Sequence, residues 1–227
     1  MSQEKVWDNE YRNPTFLTRD NKPQQDVVRF VNFLKKEKGI VPEGLSVLDL
    51  GSGTGRNSYY FAEHGAHVVG LEISETACGI ARNNLVGTKF DVVYKKQSIG
   101  ESFPCVSASV DIALDITSSN SLSEDERIVY LSETNRVLRD DGYFFVKALC
   151  KDGDENAKYL LKHNACLEKD TYIMPKIGIM ERVWSKQDFV ETYSPFFSII
   201  HMEKKTNYSI MDGRPYKRNF WIIYMKK

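Results

Sequence analysis

The sequence VLDLGSGTGRN at Val47–Asn57 decides the fold of this chain. It is a short apolar run, then three alternating glycines, then polar residues that can open a helix. Glycine permits a positive φ and lets a ligand approach where a Cβ would collide. The N–H groups at a helix start are unpaired and partly positive. The stretch therefore predicts a buried strand, a tight turn beneath a ligand, and a helix.

Two carboxylates accompany this turn. Asp49 stands just ahead of the first glycine, and the next apolar stretch, His67–Glu72, ends in Glu72. The spacing G-x-G-x-G differs from the G-x-G-x-x-G that holds a pyrophosphate, which Asp49 would repel. An acid at the tip of the second strand is the usual acceptor for two ribose hydroxyls. A nicotinamide-binding domain, or a glycine turn that only joins a strand to a helix, are the alternatives.

Through VLDLGSGTGRN and HVVGLEIS, the chain resembles class I S-adenosylmethionine-dependent methyltransferases. Over nearly its full length it looks most like the small tellurite-resistance and thiopurine methyltransferase-like enzymes. That similarity also includes the WDNEY segment at residues 7–11 and a terminal pair of strands. The resemblance implies a single methyltransferase domain at residues 1–227. Within it we expect a lid segment at about 1–22 and a substrate-pocket insertion at about 150–184.

Strand and helix patterns alternate as far as Leu149, which predicts a parallel sheet with right-handed crossovers. Two later strands, around residues 197–200 and 220–224, flank Asp212-Gly213 and are too close for a crossover helix. They are expected to pair antiparallel. The resemblance then implies an α/β, doubly wound, Rossmann-like methyltransferase fold. Its seven-stranded, mostly parallel sheet has the order 3-2-1-4-5-7-6, with the last strand antiparallel.

Four shorter patterns give element bounds that the structure can test. Pro23 to Gly39 predicts one helix, Ser123 with Glu126 a capping box, Phe90–Tyr94 the third strand, and Tyr143–Leu149 the fifth.

Ligands of an open parallel sheet bind beyond the carboxyl ends of its strands. The resemblance implies that S-adenosylmethionine, and its product S-adenosylhomocysteine, bind there. The backbone at Gly51 and Gly53 would meet the methionine moiety, and Asp49 its ammonium, directly or through water. Glu72 would accept from both ribose hydroxyls, and Ile73 would pack on the adenine face. The expected cofactor-binding residues are Trp7, Tyr11, Asp49, Gly51, Ser52, Gly53, Asn57, Glu72, Ile73, Gln97, Ser98 and Asp115.

Some of these assignments keep an alternative. Gln97, followed by Ser98, stands where the family often has an Asp that accepts from the adenine amino group, although a glutamine carbonyl can accept the same bond. Gln97 could equally be an exposed loop residue. By the resemblance, Trp7 and Tyr11 belong to a lid over the cofactor; otherwise they plug the edge of the sheet.

Asp115 is the one candidate catalytic residue. Alignment does most of the work in methyl transfer, and a base is needed only if the acceptor must lose a proton. Asp115, at the tip of the fourth strand, could remove that proton, hold a cationic acceptor, or close the cofactor pocket. The sequence DITSSN at 115–120 lacks the D/N-P-P-Y/F motif of methyltransferases that modify nucleic-acid amino groups.

Composition and length limit the class of acceptor that the chain is expected to methylate. Lys+Arg and Asp+Glu both number 31 in 227 residues, so no net charge attracts nucleic acid or anionic membrane. The basic stretch from His201 predicts a solvated strand edge. With few residues beyond the core fold, a small-molecule acceptor is favoured. The alternatives are a methyltransferase for RNA or protein and a non-catalytic S-adenosylmethionine-binding protein.

The remaining sequence signals are negative. The four cysteines form no C-x-x-C pair, and no His/Cys/Asp cluster has the spacing of metal ligands, so no disulfide framework or metal site is expected. No apolar run has the length of a signal-peptide core or a membrane span. A cytoplasmic protein is therefore the expectation, and the sequence predicts no oligomeric state.

Overall fold

The computed structural model describes residues 3–14, 22–211 and 214–227, with the backbone alone described at 209–211 and 214–216. The predicted turn at Asp212-Gly213, and residues 1–2 and 15–21 of the predicted lid, lie outside the described residues. The helices are Glu4–Arg12 (α1), Gln25–Phe33 (α2), Arg56–Glu63 (α3), Glu75–Asn84 (α4), Glu124–Val137 (α5), Glu155–Asn164 (α6) and Lys186–Tyr193 (α7). The strands are Ser46–Leu50 (β1), His67–Glu72 (β2), Val92–Lys96 (β3), Val110–Ile116 (β4), Leu138–Leu149 (β5), Thr171–Ile173 (β6), Met180–Arg182 (β7), Ser198–Met211 (β8) and Arg214–Lys226 (β9).

Seven of these strands form one sheet in the order β3-β2-β1-β4-β5-β9-β8. The strands from β3 to β5 pair in parallel, and β9 is antiparallel to both β5 and β8. The predicted topology is thus confirmed. A separate two-stranded hairpin, β6 with β7, precedes the last two strands of the large sheet and raises their numbers to eight and nine.

Local capping chemistry was predicted well. The Ser123 side chain accepts from the Glu126 N–H while the Glu126 side chain accepts from the Ser123 N–H, which confirms the capping box of α5. Ser74 caps α4 by accepting from the Ala77 N–H at 3.1 Å.

Several predicted bounds were wrong. β3 begins at Val92 rather than Phe90, and β5 begins at Leu138, immediately after α5, rather than at Tyr143. The predicted helix over 23–39 is α2 followed by a π-helical turn, Leu34–Lys38, that ends at Gly39 with φ +69°. β8 and β9 have 14 and 13 residues because they continue pairing with each other beyond the end of β5.

Apolar side chains cover both faces of the sheet, as a doubly wound parallel sheet requires. Along β1, Val47 belongs to the cluster under α2, whereas Leu48 and Leu50 belong to the cluster on the opposite face. In the first cluster the fully buried rings of Phe30 and Phe145 lie 5.2 Å apart. These two layers fix the strand ends against which the site is built.

A third apolar cluster fixes the region after β5. The end of β5, α6 and the β6–β7 hairpin bury Leu149, Tyr172 and Val183 together, and Val6 and Trp7 of α1 pack against them. The predicted insertion thus adjoins the N-terminal helix at the carboxyl end of the sheet. The strand order reverses between β1 and β4, so these elements surround the crevice at the switch point.

Candidate functional site

The glycine loop after β1 passes close under its neighbours. Gly51 and Gly53 have φ values of +71° and +56°, in the left-handed region. A Cβ on Gly51 would lie 2.2 Å from the Ser118 Oγ, and one on Gly53 would lie 2.6 Å from the Tyr11 hydroxyl. Both positions therefore need glycine for backbone conformation and for space.

Glu72 ties this loop to the start of α4. Its Oε2 accepts from the Gly53 N–H at 2.9 Å, and its Oε1 accepts from the Ser74 N–H at 2.8 Å. The side chain is almost entirely buried, and burial raises its pKa to about 7. Each carboxylate oxygen has a second lone pair. The geometry thus presents two acceptors, side by side, at the tip of β2.

A cavity of about 450 Å³ opens over these groups, in the range of small-molecule sites. Its wall brings together predicted residues from four separate stretches of the chain. They are Trp7, Tyr11, Gly51, Ser52, Gly53, Asn57, Glu72, Ile73, Gln97 and Ser98. Sequence reasoning missed the other wall residues, which are Gln3, Pro14, Gln24, Thr54, Arg56, Ile80, Ile99, Ile116, Thr117, Ser118, Ser121, Leu122 and Glu126. Thr54, Arg56, Ile99 and Ile116 lie next to a predicted residue, which is the one signal that could have found them.

Helix α1 covers the glycine loop and is fixed at both sides. The Asp8 Oδ1 accepts from the Thr76 N–H at 3.0 Å and from the Ser74 Oγ at 2.8 Å. The bond from the Thr76 backbone is the main cause that lowers the pKa of Asp8. On the insertion side, the Met180 N–H donates to the Gln3 Oε1 at 2.8 Å. The described part of the predicted lid is therefore a helix that bridges α4 and β7.

Asp49 is not part of the cavity wall described here. It is buried beneath the loop, where its Oδ2 accepts from the Ser58 Oγ at 2.6 Å, and burial raises its pKa to about 6. Ser58 lies in the first turn of α3, which draws the carboxylate under the helix. Direct contact between Asp49 and a ligand ammonium is not the arrangement that the structure supports.

Asp115 is also withdrawn from the described cavity wall. It is fully buried; its Oδ2 accepts from the Tyr130 hydroxyl at 2.6 Å and its Oδ1 from the Ser118 N–H at 2.8 Å. Burial is the main cause that raises its pKa. These bonds fix the loop after β4. The geometry gives Asp115 a structural place and does not support the predicted proton transfer, hold on a cationic acceptor, or closure of the pocket.

The loop after β4 supplies wall residues with unusual backbone. Thr117 has φ +68°, and its N–H donates to the Lys147 carbonyl at 2.8 Å. A β-branched residue with positive φ is an outlier and costs about 1–3 kcal/mol. Ser118 Oγ donates to the Gly51 carbonyl at 3.2 Å, which joins this loop to the glycine loop. Strain here is stored at the wall of the cavity.

At the opposite end, Gln97 and Ser98 follow β3. The Gln97 Nε2 donates to the Glu101 Oε2 at 2.9 Å, so its carbonyl oxygen stays available as an acceptor. The Ser98 Oγ accepts from the Gly100 N–H at 3.1 Å. Ile73 and Ile99 supply apolar wall beside them. This end suits a flat heterocycle that carries a donor on its edge.

The chemistry of the donor set fits an adenosyl amino acid. Glu72 offers paired acceptors for a diol, and the Gln97 end offers apolar wall and one acceptor. The Ser52 Oγ is buried at the wall without a hydrogen-bond partner in the described part of the chain, which a polar ligand would supply. Within the same described residues, no group of three His, Cys, Asp or Glu side chains could hold a metal ion. No helix in those ranges is long and apolar enough to cross a membrane.

Comparison with known proteins agrees with this reading. Residues 47–142 match a sequence family described as "Methyltransferase domain". No curated protein sequence matches the chain significantly.

Solved structures with the same fold include 1,6-didemethyltoxoflavin-N1-methyltransferase from Burkholderia thailandensis, which holds its substrate and S-adenosylhomocysteine. That protein is 17% identical, with a TM-score of 0.71 and coverage of 99% of this chain and 86% of its own. A S-adenosylmethionine-dependent methyltransferase from Anabaena variabilis is 19% identical, with a TM-score of 0.69 and coverages of 98% and 92%. TehB from Haemophilus influenzae is 15% identical, with a TM-score of 0.66 and coverages of 100% and 67%.

The family match and the shared fold confirm the prediction of a methyltransferase domain. The Burkholderia thailandensis structure holds S-adenosylhomocysteine, the product of the cofactor expected for this domain. The roles of individual wall residues stay predictions.

Proposed function

From the methyltransferase domain at residues 47–142, we propose that this chain transfers a methyl group from S-adenosylmethionine to a small-molecule acceptor. One observation carries the proposal: the paired oxygens of Glu72 and the glycine loop face one cavity of about 450 Å³. The bound cofactor supplies an activated methyl group on a sulfonium. The chain must bind it, align it with an acceptor and exclude water.

Wall residues at different strand ends would bind different parts of the cofactor. Glu72 would accept from both ribose hydroxyls, and Ile73 would pack on the adenine face. The Gln97 carbonyl would accept from the adenine amino group, and the backbone at Gly51 and Gly53 would lie along the methionine moiety. Tyr11, whose hydroxyl lies above Gly53, would cover the cofactor from the α1 side.

The wall at the start of α1 and the loop after β4 would receive the acceptor. Gln3, Thr117 and Ser121 are neutral polar residues, and Leu122 adds apolar surface. Among the described wall residues, Glu126 is committed to the capping box of α5 and Tyr11 has a pKa raised well above its ordinary value, mainly by burial. This wall therefore favours an acceptor that needs alignment rather than a protein base.

The size of the site supports a small acceptor over a macromolecule. The cavity lies under α1, which is bonded to α4 and to β7. The Burkholderia thailandensis protein with this fold is a 1,6-didemethyltoxoflavin-N1-methyltransferase. The basic stretch on β8 is not a free surface throughout, since Lys205 pairs with the Asp26 carboxylate.

Calorimetric titration with S-adenosylhomocysteine tests the cofactor site, and we expect saturable binding with one site per chain. Transfer of labelled methyl from S-adenosylmethionine to a panel of small heterocycles, thiols and amines then tests turnover. Labelling of RNA or protein but of no small molecule would overturn the small-acceptor proposal. Binding without transfer to any acceptor would indicate a non-catalytic binding protein. No binding at high micromolar ligand would reject the proposal altogether.

A further inference from the structure

A buried ion pair lies behind the wall near α2. The Lys147 Nζ, on β5, donates to the Asp26 Oδ2 at 2.8 Å, and both side chains are almost entirely buried. Lys205 of β8 pairs with the other oxygen of Asp26. Burial would raise the pKa of Asp26, but the bonds from the two lysines hold it below its ordinary value. Two ammonium groups share one carboxylate, so the cluster keeps a net positive charge.

This cluster sets the orientation of Gln24, the residue that precedes α2. The Lys147 Nζ also donates to the Gln24 Oε1 at 3.2 Å. An ammonium can only donate, so the carbonyl oxygen of the amide must face Lys147 and its NH₂ group must face away. Gln24 is half-buried and forms part of the cavity wall.

The neighbouring amide is oriented in the same way. The Gln24 N–H donates to the Asn57 Oδ1 at 3.0 Å, and a backbone N–H also can only donate. The NH₂ group of Asn57 is therefore turned away from that bond. Asn57 is 6% exposed and lies on the cavity wall. Arg56, next to it, lines the same corner of the cavity.

These contacts leave one corner of the cavity, formed by Gln24, Arg56 and Asn57, with hydrogen-bond donors and nearby positive charge. Both amide oxygens accept from groups behind the wall, so the NH₂ groups of Gln24 and Asn57 are turned away from those bonds, and Arg56 is a further wall residue. Paired donors beside positive charge recognise a carboxylate, and the bonds are stronger than neutral ones. We propose that Lys147 is a positioning residue that fixes Gln24 as a donor, so that Gln24 and Asn57 bind the α-carboxylate of the methionyl group of S-adenosylmethionine.

The place of the corner in the sheet agrees with this assignment, which rests on the proposed function. Glu72 ends β2, the glycine loop follows β1, and Lys147 stands on β5, beyond β4. A cofactor whose ribose lies at Glu72 therefore extends its amino-acid end over the glycine loop toward Asn57 and Gln24. The adenine end at Gln97 lies on the opposite side, beyond β2.

Two ligands separate the contacts of the amino-acid group from the rest of the site. S-Adenosylhomocysteine carries that group, whereas 5′-methylthioadenosine has the adenosine and the sulfur but neither the carboxylate nor the ammonium. We expect Gln24→Glu to weaken S-adenosylhomocysteine about tenfold or more and to leave 5′-methylthioadenosine unchanged, because it replaces a donor to a charged group by an acceptor. The new carboxylate still accepts from Lys147, so the buried cluster keeps its bonds.

Lys147→Met tests the positioning role. Without the ammonium the Gln24 amide can rotate, and we expect a several-fold loss for S-adenosylhomocysteine alone. Asn57→Asp tests the second donor to the carboxylate, since its oxygen still accepts from the Gln24 N–H. Gln25→Glu is the matched control: it makes the same change one residue away, at an exposed side chain, and should alter neither affinity.

The result that overturns this inference is an unchanged affinity ratio of the two ligands in Gln24→Glu, whether both affinities fall together or neither moves. Wild-type protein that binds neither ligand would instead reject the proposed function.

Discussion

Binding of S-adenosylhomocysteine should depend on pH through Glu72. Burial raises the pKa of this carboxyl to about 7 in the ligand-free protein. Ribose hydroxyls donate to the ionised form and so favour it. Below the ligand-free pKa, a proton must leave before the ligand binds, so affinity falls as pH falls. At pH 6 about a tenth of the carboxyl is ionised, against about nine tenths at pH 8, so the dissociation constant should rise about tenfold.

Calorimetry in two buffers of different ionisation enthalpy measures both the affinity and the protons released. We expect close to one proton released per ligand bound at pH 6 and almost none at pH 8. Asp49, whose pKa burial raises to about 6, also raises the pKa of Glu72 by its charge and adds a second effect to the affinity only near pH 6.

Glu72→Gln is the control, because it keeps one acceptor oxygen and removes the titration. It also leaves the Gly53 or the Ser74 N–H facing an NH₂ group, so the free energy of unfolding should fall by about 1–3 kcal/mol. A wild-type dissociation constant that is constant from pH 6 to 8 would refute the reasoning.

Three further substitutions test other parts of the site. Asp8→Ala removes the acceptor at the start of α4; it should cost about 1 kcal/mol of unfolding free energy and speed hydrogen exchange in α1. Gly53→Ala places an alanine at a position with positive φ and puts its Cβ 2.6 Å from the Tyr11 hydroxyl. Chemical denaturation should show a free energy of unfolding lower by about 1–2 kcal/mol, and S-adenosylhomocysteine should bind more weakly. Asp115→Asn should lower the midpoint of thermal unfolding, because the Tyr130 hydroxyl and two backbone N–H groups donate to that carboxylate. The folded variant should keep most of its methyltransferase activity. A fall of several orders of magnitude in kcat with an unchanged midpoint would instead support a catalytic role for Asp115.

Features set by neighbouring residues could be predicted from the sequence. The glycine loop, the acid at the end of β2 and the capping box of α5 each depend on residues a few positions apart. The strand order followed from alternation of elements, with the hairpin expected from a connection too short for a crossover. Trp7 and Tyr11 lie in the cavity wall, where the resemblance placed them, although their helical conformation was not predicted.

Features set by distant partners could not be predicted. The orientation of Asp115 depends on Tyr130 of α5, and that of Asp49 depends on Ser58 of α3. The periodic pattern of apolar residues does not show whether a carboxylate at the end of a strand points into the cavity or toward a hydrogen-bond donor on a neighbouring helix. Gln24 was missed because its place in the wall depends on Lys147, 123 positions away. The lengths of β8 and β9 were underestimated because the two strands remain paired beyond the stretch in which apolar residues alternate.

Helix α1 has a consequence for the order of events during turnover. It contacts the glycine loop through Tyr11, α4 through Asp8 and β7 through Gln3. Helix α1 thus covers both the cofactor region and the proposed acceptor region of the cavity. We expect S-adenosylhomocysteine to leave only when α1 moves away from the glycine loop, and this movement also exposes the acceptor region to solvent.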